Sequence, residues 1–286
     1  MSDTDNFQNE ILLSICVAIY NIKEEFLRTC IESITADMSA GAELILGDDC
    51  SNEKTAEICR EYAEKNYRIR YVRPEKNGGV SYIRNVMINR AKGKMITFID
   101  GDDIAVNGYS AALCSAFDSS DREYDIVMFK WQRFENIVPN IKIEDGKIIA
   151  IPQSAAQRFS QACLTGAPPN AKDYGICDST PSSVCIKAYR REFLIENNLK
   201  FKVGLKKSQD VEFNTRTFFV CKSLGYLARV LYLYRNNPES VTNRYNPNIK
   251  GILYDCIGCD RENLKTLYQN AAEIEQEWQK YKLIHY

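Results

Sequence analysis

The sequence is almost without histidine: His285 is the single one in 286 residues. That excludes catalytic triads built on histidine and His-rich metal sites. Net charge is equally scant, −1 from 37 basic and 38 acidic side chains, so no nucleic-acid surface is indicated. No apolar run approaches the roughly 20 residues needed to span a bilayer. Residues 1–10 are polar and acidic with no hydrophobic signal core, from which a cytosolic protein is expected. Glycine is missing from Tyr20-Asn21-Ile22-Lys23-Glu24-Glu25, where a nucleotidyltransferase would carry a Gly-rich phosphate loop after its first strand. Cysteine is plentiful, eleven in all, but it is scattered through apolar segments, as at Cys16, Cys30, Cys59, Cys114 and Cys185. Reduced thiols in such places act as small hydrophobes. The one Cys-x-x-Cys, Cys256 to Cys259, lacks a second pair or a nearby histidine, which argues against zinc.

What is present is an alternation of apolar strands and helical patterns. Strands are expected at 12–19, 42–46, 69–72 and 95–99, and helices at 24–34, 54–65 and 80–90, with Ser51 or Asn52 as a cap. Strands separated by helices of this length imply βαβ units and a mostly parallel sheet flanked by helices, an α/β fold. Ligands bind such sheets beyond the carboxyl ends of the strands. Tyr20-Asn21, Asp48-Asp49 and the acids at 100–103 all fall there.

The second half is less regular. Strands are expected at 125–129, 184–186 and 226–234, helices at 154–164, 189–197 and 210–222, and a hairpin at 141–151 around Asp145-Gly146. Residues 165–181, rich in Gly, Pro and Asp, read as a long loop of the kind that serves as a lid or binding loop. Residues from 247 on are amphipathic helix in pattern. The chain therefore divides into two halves, 1–110 and 111–245, and a C-terminal helical extension (246–286).

The most informative stretch is Ala91 to Asp103. Its buried strand ends in Asp100-Gly101-Asp102-Asp103, three carboxylates in four residues that repel one another unless a cation or donor groups neutralise them. Hard oxygen ligands suit Mg²⁺ or Mn²⁺. An ordinary acidic turn has the same composition, so the flanking motifs decide.

Taken in order, those motifs resemble the family 2 glycosyltransferases of the GT-A fold, of the bacterial capsule or surface-polysaccharide type, over about residues 12–242. Ser14 to Asn21 is similar to the family's opening strand. Asp48-Asp49-Cys50-Ser51 resembles its Asp-Asp-Gly-Ser, with Cys50 in place of glycine. Asn77-Gly78-Gly79-Val80-Ser81-Tyr82-Ile83-Arg84-Asn85 resembles Asn-x-Gly-x-Ser-x-Ala-Arg-Asn. Ala91 to Asp103 resembles the strand and metal motif. Lys187-Ala188-Tyr189-Arg190-Arg191, Phe201 and Ser208-Gln209-Asp210-Val211-Glu212-Phe213 resemble the segment around the catalytic base.

The resemblance implies an inverting, metal-dependent transferase that moves a sugar from a nucleotide diphosphate, a UDP-sugar first of all, to a glycan or lipid-linked acceptor. Asp103 is then the direct metal ligand, with Asp102 and Asp100 on the ion's water shell or the ribose. Asp49 accepts from the uracil imide, Tyr20 lies against the base, Asn21 fixes the loop and Arg84 sits near the nucleotide. Asp210 is the general base, with Glu212 a substitute one turn on. Asp48 is a secondary candidate that equally suits a cap, and Arg235 a fixed cation that equally suits a structural pair. Two departures stand out. Gln209 replaces the usual Glu, and Asn237 replaces a frequent histidine that could carry positive charge. They leave open a nucleotide-sugar-binding protein that has lost catalysis. The C-terminal extension admits packing, a homodimer or contact with a membrane's inner face.

Overall fold

The computed structural model describes residues 10–135, 137–141, 146–165 and 181–236. Asn237, the C-terminal extension 246–286 and nearly all of the 165–181 loop lie outside them, as does Asp145 of the expected hairpin. Nine strands form one mixed sheet in the order β3-β2-β1-β4-β8-β6-β9-β5, with β7 also on β9. In chain order they are β1 (Leu13–Ile19), β2 (Ala42–Asp48), β3 (Ile69–Val72), β4 (Met95–Asp100), β5 (Ile104–Ala105), β6 (Ile126–Phe134), β7 (Ile148–Ile151), β8 (Lys187–Arg190) and β9 (Leu224–Arg235). The helices between them are α1 (Glu24–Thr35), α2 (Glu53–Lys65), α3 (Val80–Arg90), α4 (Tyr109–Asp118), α5 (Gln153–Thr165), α6 (Arg191–Glu196) and α7 (Gln209–Val220). Strands β1, β2, β3, β4, β6 and β9 run one way, and β5, β7 and β8 the other. Among the described residues no helix is long and apolar enough to cross a membrane.

The first half follows directly from its pattern. β1 and β2 are largely apolar, with Ser14, Glu43 and Asp48 as their polar residues, and are buried at every position but Ala18, as parallel strands covered on both faces must be. α1 buries Leu27, Cys30, Ile31 and Ile34, a spacing that makes one stripe. Asn52 caps α2 by accepting from the Thr55 N–H at 3.0 Å. Close approach explains Gly47: a Cβ there would stand 2.4 Å from the Met87 sulfur, so glycine lets α3 settle against β2. That contact fixes where Arg84, also on α3, points.

The second half corrects three expectations. The apolar run at 184–186 is buried but is a turn, and the strand is β8, three residues on. Long-range pairing with β4 and β6 sets that register, and it carries Lys187 into the interior. The helix expected at 189–197 shortens to α6 for the same reason. Among the described residues β7 pairs not with a hairpin neighbour but antiparallel with β9, a partner more than seventy positions away that no local pattern encodes.

An aromatic stack ties β4 to α7. Phe98 packs edge-on against Phe201 with centroids 5.5 Å apart, and Phe201 stacks on Phe213 of α7 at 3.9 Å. The start of α7, with Asp210, is thereby anchored to the strand that ends in the acidic motif.

Candidate active site

At the end of β2 the two aspartates take different roles. Asp48 is fully buried and accepts from the Ser51 N–H at 2.7 Å, the Tyr71 hydroxyl at 2.6 Å and the Arg73 guanidinium at 2.6 Å. Burial pushes its carboxyl up, but the bonds from Ser51, Tyr71 and Arg73 outweigh this and hold it below the usual range. Burial, then Asp48, push the Tyr71 hydroxyl up to about 12, so it stays a donor. Asp48 is therefore a structural anchor, and the cap of α2 is Asn52.

Asp49 faces the next loop. Its Oδ1 accepts from the Gly78 N–H at 2.9 Å, and its Oδ2 from the Asn77 side chain at 2.8 Å and the Gly79 N–H at 2.7 Å. A carboxylate offers about four lone-pair directions, so one more donor can still be met. Asn21 adopts a left-handed φ of 50°, donates its N–H to the Ser51 hydroxyl oxygen at 3.0 Å and accepts on its side-chain oxygen from the Asn52 N–H at 2.7 Å. It locks the loop after β1 to the loop after β2. Tyr20 beside it is 54% exposed, a ring available at the rim.

The acidic motif folds as a turn in which the Asp103 N–H donates to the Asp100 carbonyl at 2.9 Å. Gly101 permits it, since a Cβ there would stand 3.2 Å from the Ala18 carbonyl oxygen. Asp103, expected as the direct metal ligand, also holds partners within the protein. It is 2% exposed, its Oδ2 accepts from the Tyr232 hydroxyl and its Oδ1 from the Arg235 N–H at 2.7 Å. Burial, then Asp100 and Asp102, push its carboxyl well up, and the bonds from Tyr232 and Arg235 offset only part of this. A carboxylate with both oxygens engaged braces β9 against the turn. Asp100, with 42% of its side chain exposed, and the half-buried Asp102 stand at the crevice. Among the described residues no group of three or more His, Cys, Asp or Glu converges on an ion site.

Arg235 completes the brace. Its Nε donates to the Asp102 carbonyl at 2.8 Å, and its guanidinium lies between Phe26 and Phe134, 4.4 and 4.7 Å from their centroids. Its side chain is thus held by a backbone carbonyl and two rings.

Arg84, expected near the nucleotide, is buried against two carboxylates of the same region. Its side chain is 4% exposed, and it donates to Asp210 Oδ1 at 2.6 Å and to Asp100 Oδ1 at 2.9 Å. Burial works against its charge, but Asp210 and Asp100 more than restore it. Asp210, at the start of α7 and with 30% of its side chain exposed, also accepts from the Val184 N–H at 3.2 Å. Glu212 is no substitute for it: the carboxylate is buried and forked by Arg216 at 2.6 and 2.7 Å, out of reach of an acceptor. Gln209 donates to the Leu205 carbonyl at 2.8 Å, so the neutral residue closes the turn before α7.

The structure thus brings Asp49, Asp100, Asp102, Arg84 and Asp210 to one end of the sheet and sets Asp48, Asp103 and Glu212 behind it. Asn77, inside a motif quoted for the resemblance, and Tyr232 were given no role by sequence reasoning.

Residues 14–144 match the family described as glycosyl transferase family 2. Among curated relatives, the uncharacterized glycosyltransferase EpsJ of Bacillus subtilis (strain 168) is 29% identical over 234 residues, 81% of this chain and 63% of EpsJ. The putative glycosyltransferase EpsH of the same strain is 28% identical over 83% of this chain and 64% of EpsH. The chain therefore spans a little under two thirds of the length of these relatives. Among solved structures, S. aureus TarS 1–349 in complex with UDP-GlcNAc superposes with a TM-score of 0.70 at 19% identity, covering 96% of this chain and 72% of that one. The architecture is accordingly the GT-A type of α/β fold, and residues 14–144 are similar to glycosyl transferase family 2.

Proposed function

We propose that the protein is an inverting, metal-dependent glycosyltransferase that uses a UDP-sugar to extend a glycan or lipid-linked acceptor in polysaccharide biosynthesis, on the cytoplasmic side of the membrane. The observation that carries this is the pairing of Asp210 and Asp100 through Arg84 at the carboxyl ends of the strands. It sets a proton acceptor and the acidic turn on either side of one buried cation. The names of the curated relatives and the UDP-GlcNAc complex of TarS support the same reading.

In this mechanism Asp210 accepts the proton of the acceptor hydroxyl as its oxygen bonds to the anomeric carbon. The bond from that carbon to the diphosphate oxygen breaks, and UDP leaves on the opposite face. Arg84 holds Asp210 in place. Asp49 takes the base N–H on its remaining lone-pair direction, and Asn21 keeps that pocket in register. Asp102 with Asp100 fits an ion that takes one or two carboxylates and completes its shell with substrate phosphates and water. Mn²⁺ or Mg²⁺ there would stabilise the charge developing on the diphosphate. Asp103 contributes by holding that turn rigid.

The test is UDP binding by calorimetry with and without Mn²⁺, alongside UDP release from UDP-sugars. Asp210→Asn should bind UDP as the parent does while turnover falls by about 10²-fold or more. Comparable turnover by Asp210→Asn overturns the assignment of the base. Binding without turnover by the parent, with any donor, leaves a nucleotide-sugar-binding protein.

A further inference from the structure

We propose that Trp131, Arg133 and Tyr234 form the shelf on which the acceptor lies, and that this acceptor is a glycan bearing an acidic substituent. The proposal rests on the glycosyltransferase reading above and deepens its acceptor side.

β6 and β9 run in parallel, with Trp131 opposite Tyr232 and Arg133 opposite Tyr234. Side chains two apart on a strand, and those opposite one another on its neighbour, share a face, so these four form one patch. Tyr232 identifies the face, because its hydroxyl donates to Asp103. The patch therefore adjoins the acidic turn. Tyr234 lies close enough to feel it: burial, then Asp103 and Asp102, push its hydroxyl up.

The chemistry of the patch suits a sugar. Trp131 meets Tyr234 edge to face, with centroids 6.1 Å apart and planes at 86°, and the Arg133 guanidinium stands 5.6 Å from the Tyr234 centroid. Aromatic faces receive the C–H face of a pyranose, whereas a guanidinium donates to its oxygens. The indole N–H of Trp131 is buried and, among the described residues, has no hydrogen-bond partner, so Trp131 contributes its ring rather than its N–H.

Charge selects the kind of sugar. Arg28, Arg60 and Arg190 are paired with carboxylates, but among the described residues Arg133 is exposed and has no such pair. An anionic acceptor approaching Asp100, Asp102 and Asp210 is repelled, and a cation held at the rim by Tyr234 offsets that repulsion. A neutral acceptor would need no such group.

The chain has two tryptophans, so Trp278→Phe leaves Trp131 as the sole fluorescent reporter. In that background we would titrate hyaluronan tetrasaccharide, which is acidic, and chitotetraose, which is neutral, and measure UDP binding by calorimetry in parallel. The acidic saccharide should bind more tightly and lose affinity with added salt. Tyr234→Ala should weaken it about tenfold, and Tyr234→Phe should restore the parent value. Arg133→Gln should bring it down to the neutral saccharide and remove the salt dependence. Normal UDP binding with no response of Trp131 to either saccharide, or with no change in the two disruptive variants, overturns the shelf. Equal affinity for both saccharides overturns the acidic preference. Loss of UDP binding in the parent instead overturns the donor reading, and the shelf falls with it.

Discussion

Arg84 lies 2.6 Å from Asp210, across 126 positions of sequence. The contact joins α3 of the first half to the start of α7 in the second, and the same guanidinium reaches Asp100 at 2.9 Å. Because Arg84 is 4% exposed, removing it leaves two carboxylates facing each other without their counter-charge. Arg84→Met should therefore destabilise the fold. Both carboxylates keep some solvent, which discounts the loss to about 2 kcal/mol, below the 3–5 kcal/mol typical of a fully buried pair. Turnover should fall further than stability, since Asp210 loses its orientation. Arg84→Lys should recover stability in part, because one ammonium cannot fork two carboxylates. Urea unfolding together with UDP release per folded molecule checks both statements, and a variant that loses stability but keeps full turnover contradicts them.

Two neighbouring aspartates should separate by what they lose. Asp102→Asn should abolish the ion dependence of UDP binding and leave the melting temperature near that of the parent. Asp103→Asn should do the reverse in degree. Its amide nitrogen would face the donors Tyr232 and the Arg235 N–H, costing about 1–3 kcal/mol for the unmet buried groups. Thermal melting and calorimetric titration of UDP with Mn²⁺ distinguish them. An Asp103→Asn protein that melts normally but binds UDP without regard to the ion returns Asp103 to the role of direct ligand.

The distinction between these residues shows what the sequence can and cannot carry. Strands β1 to β4 and helices α1 to α3 were legible because each is a short local pattern of apolar residues. The residue types of the site were legible as well, since three carboxylates at a strand end demand neutralisation. Their division of labour was not. Asp102 and Asp103 are adjacent and identical in chemistry, and only the Tyr232 hydroxyl, 129 positions away, decides which one is buried. Glu212 and Asp210 differ in the same way, through Arg216 and Arg84. The shift of β8 past an apolar run and the pairing of β7 with β9 are likewise set by distant strands. What sequence reasoning missed is what depends on partners brought from far along the chain.

Acid should expose the role of Asp48. Its folded value lies below the ordinary 3.8, so its contribution is full above that pH and is lost as pH falls through the folded value. Asp48→Asn should cost about 1–3 kcal/mol near neutrality, because Arg73, Tyr71 and the Ser51 N–H lose a charged acceptor. The deficit should shrink below pH 3.8 as the parent itself is protonated. Urea midpoints of both proteins across pH 3 to 7 test this, and a deficit independent of pH would show that shape rather than charge is what Asp48 supplies.

The departure at Cys50 has a cost that can be recovered. Cys50 sits at φ 61°, in the left-handed region that a residue with a Cβ occupies at a cost of about 1–2 kcal/mol. Its thiol gives something back by contacting the Pro74 carbonyl at 3.1 Å, but sulfur is a weak donor. Glycine removes the steric cost and adds unfolded-state entropy of about 0.5–1 kcal/mol against folding. The balance for Cys50→Gly is a gain of about 0.5 kcal/mol, a rise of about 1–2 °C in melting temperature for a domain of this size. Cys50→Ala keeps the strained φ and loses the thiol contact, so it should melt below the parent. Differential scanning calorimetry of the three proteins orders them as glycine, cysteine, alanine. If alanine matched glycine, the backbone at position 50 would not be under strain, and the thiol alone would account for the difference from the parent.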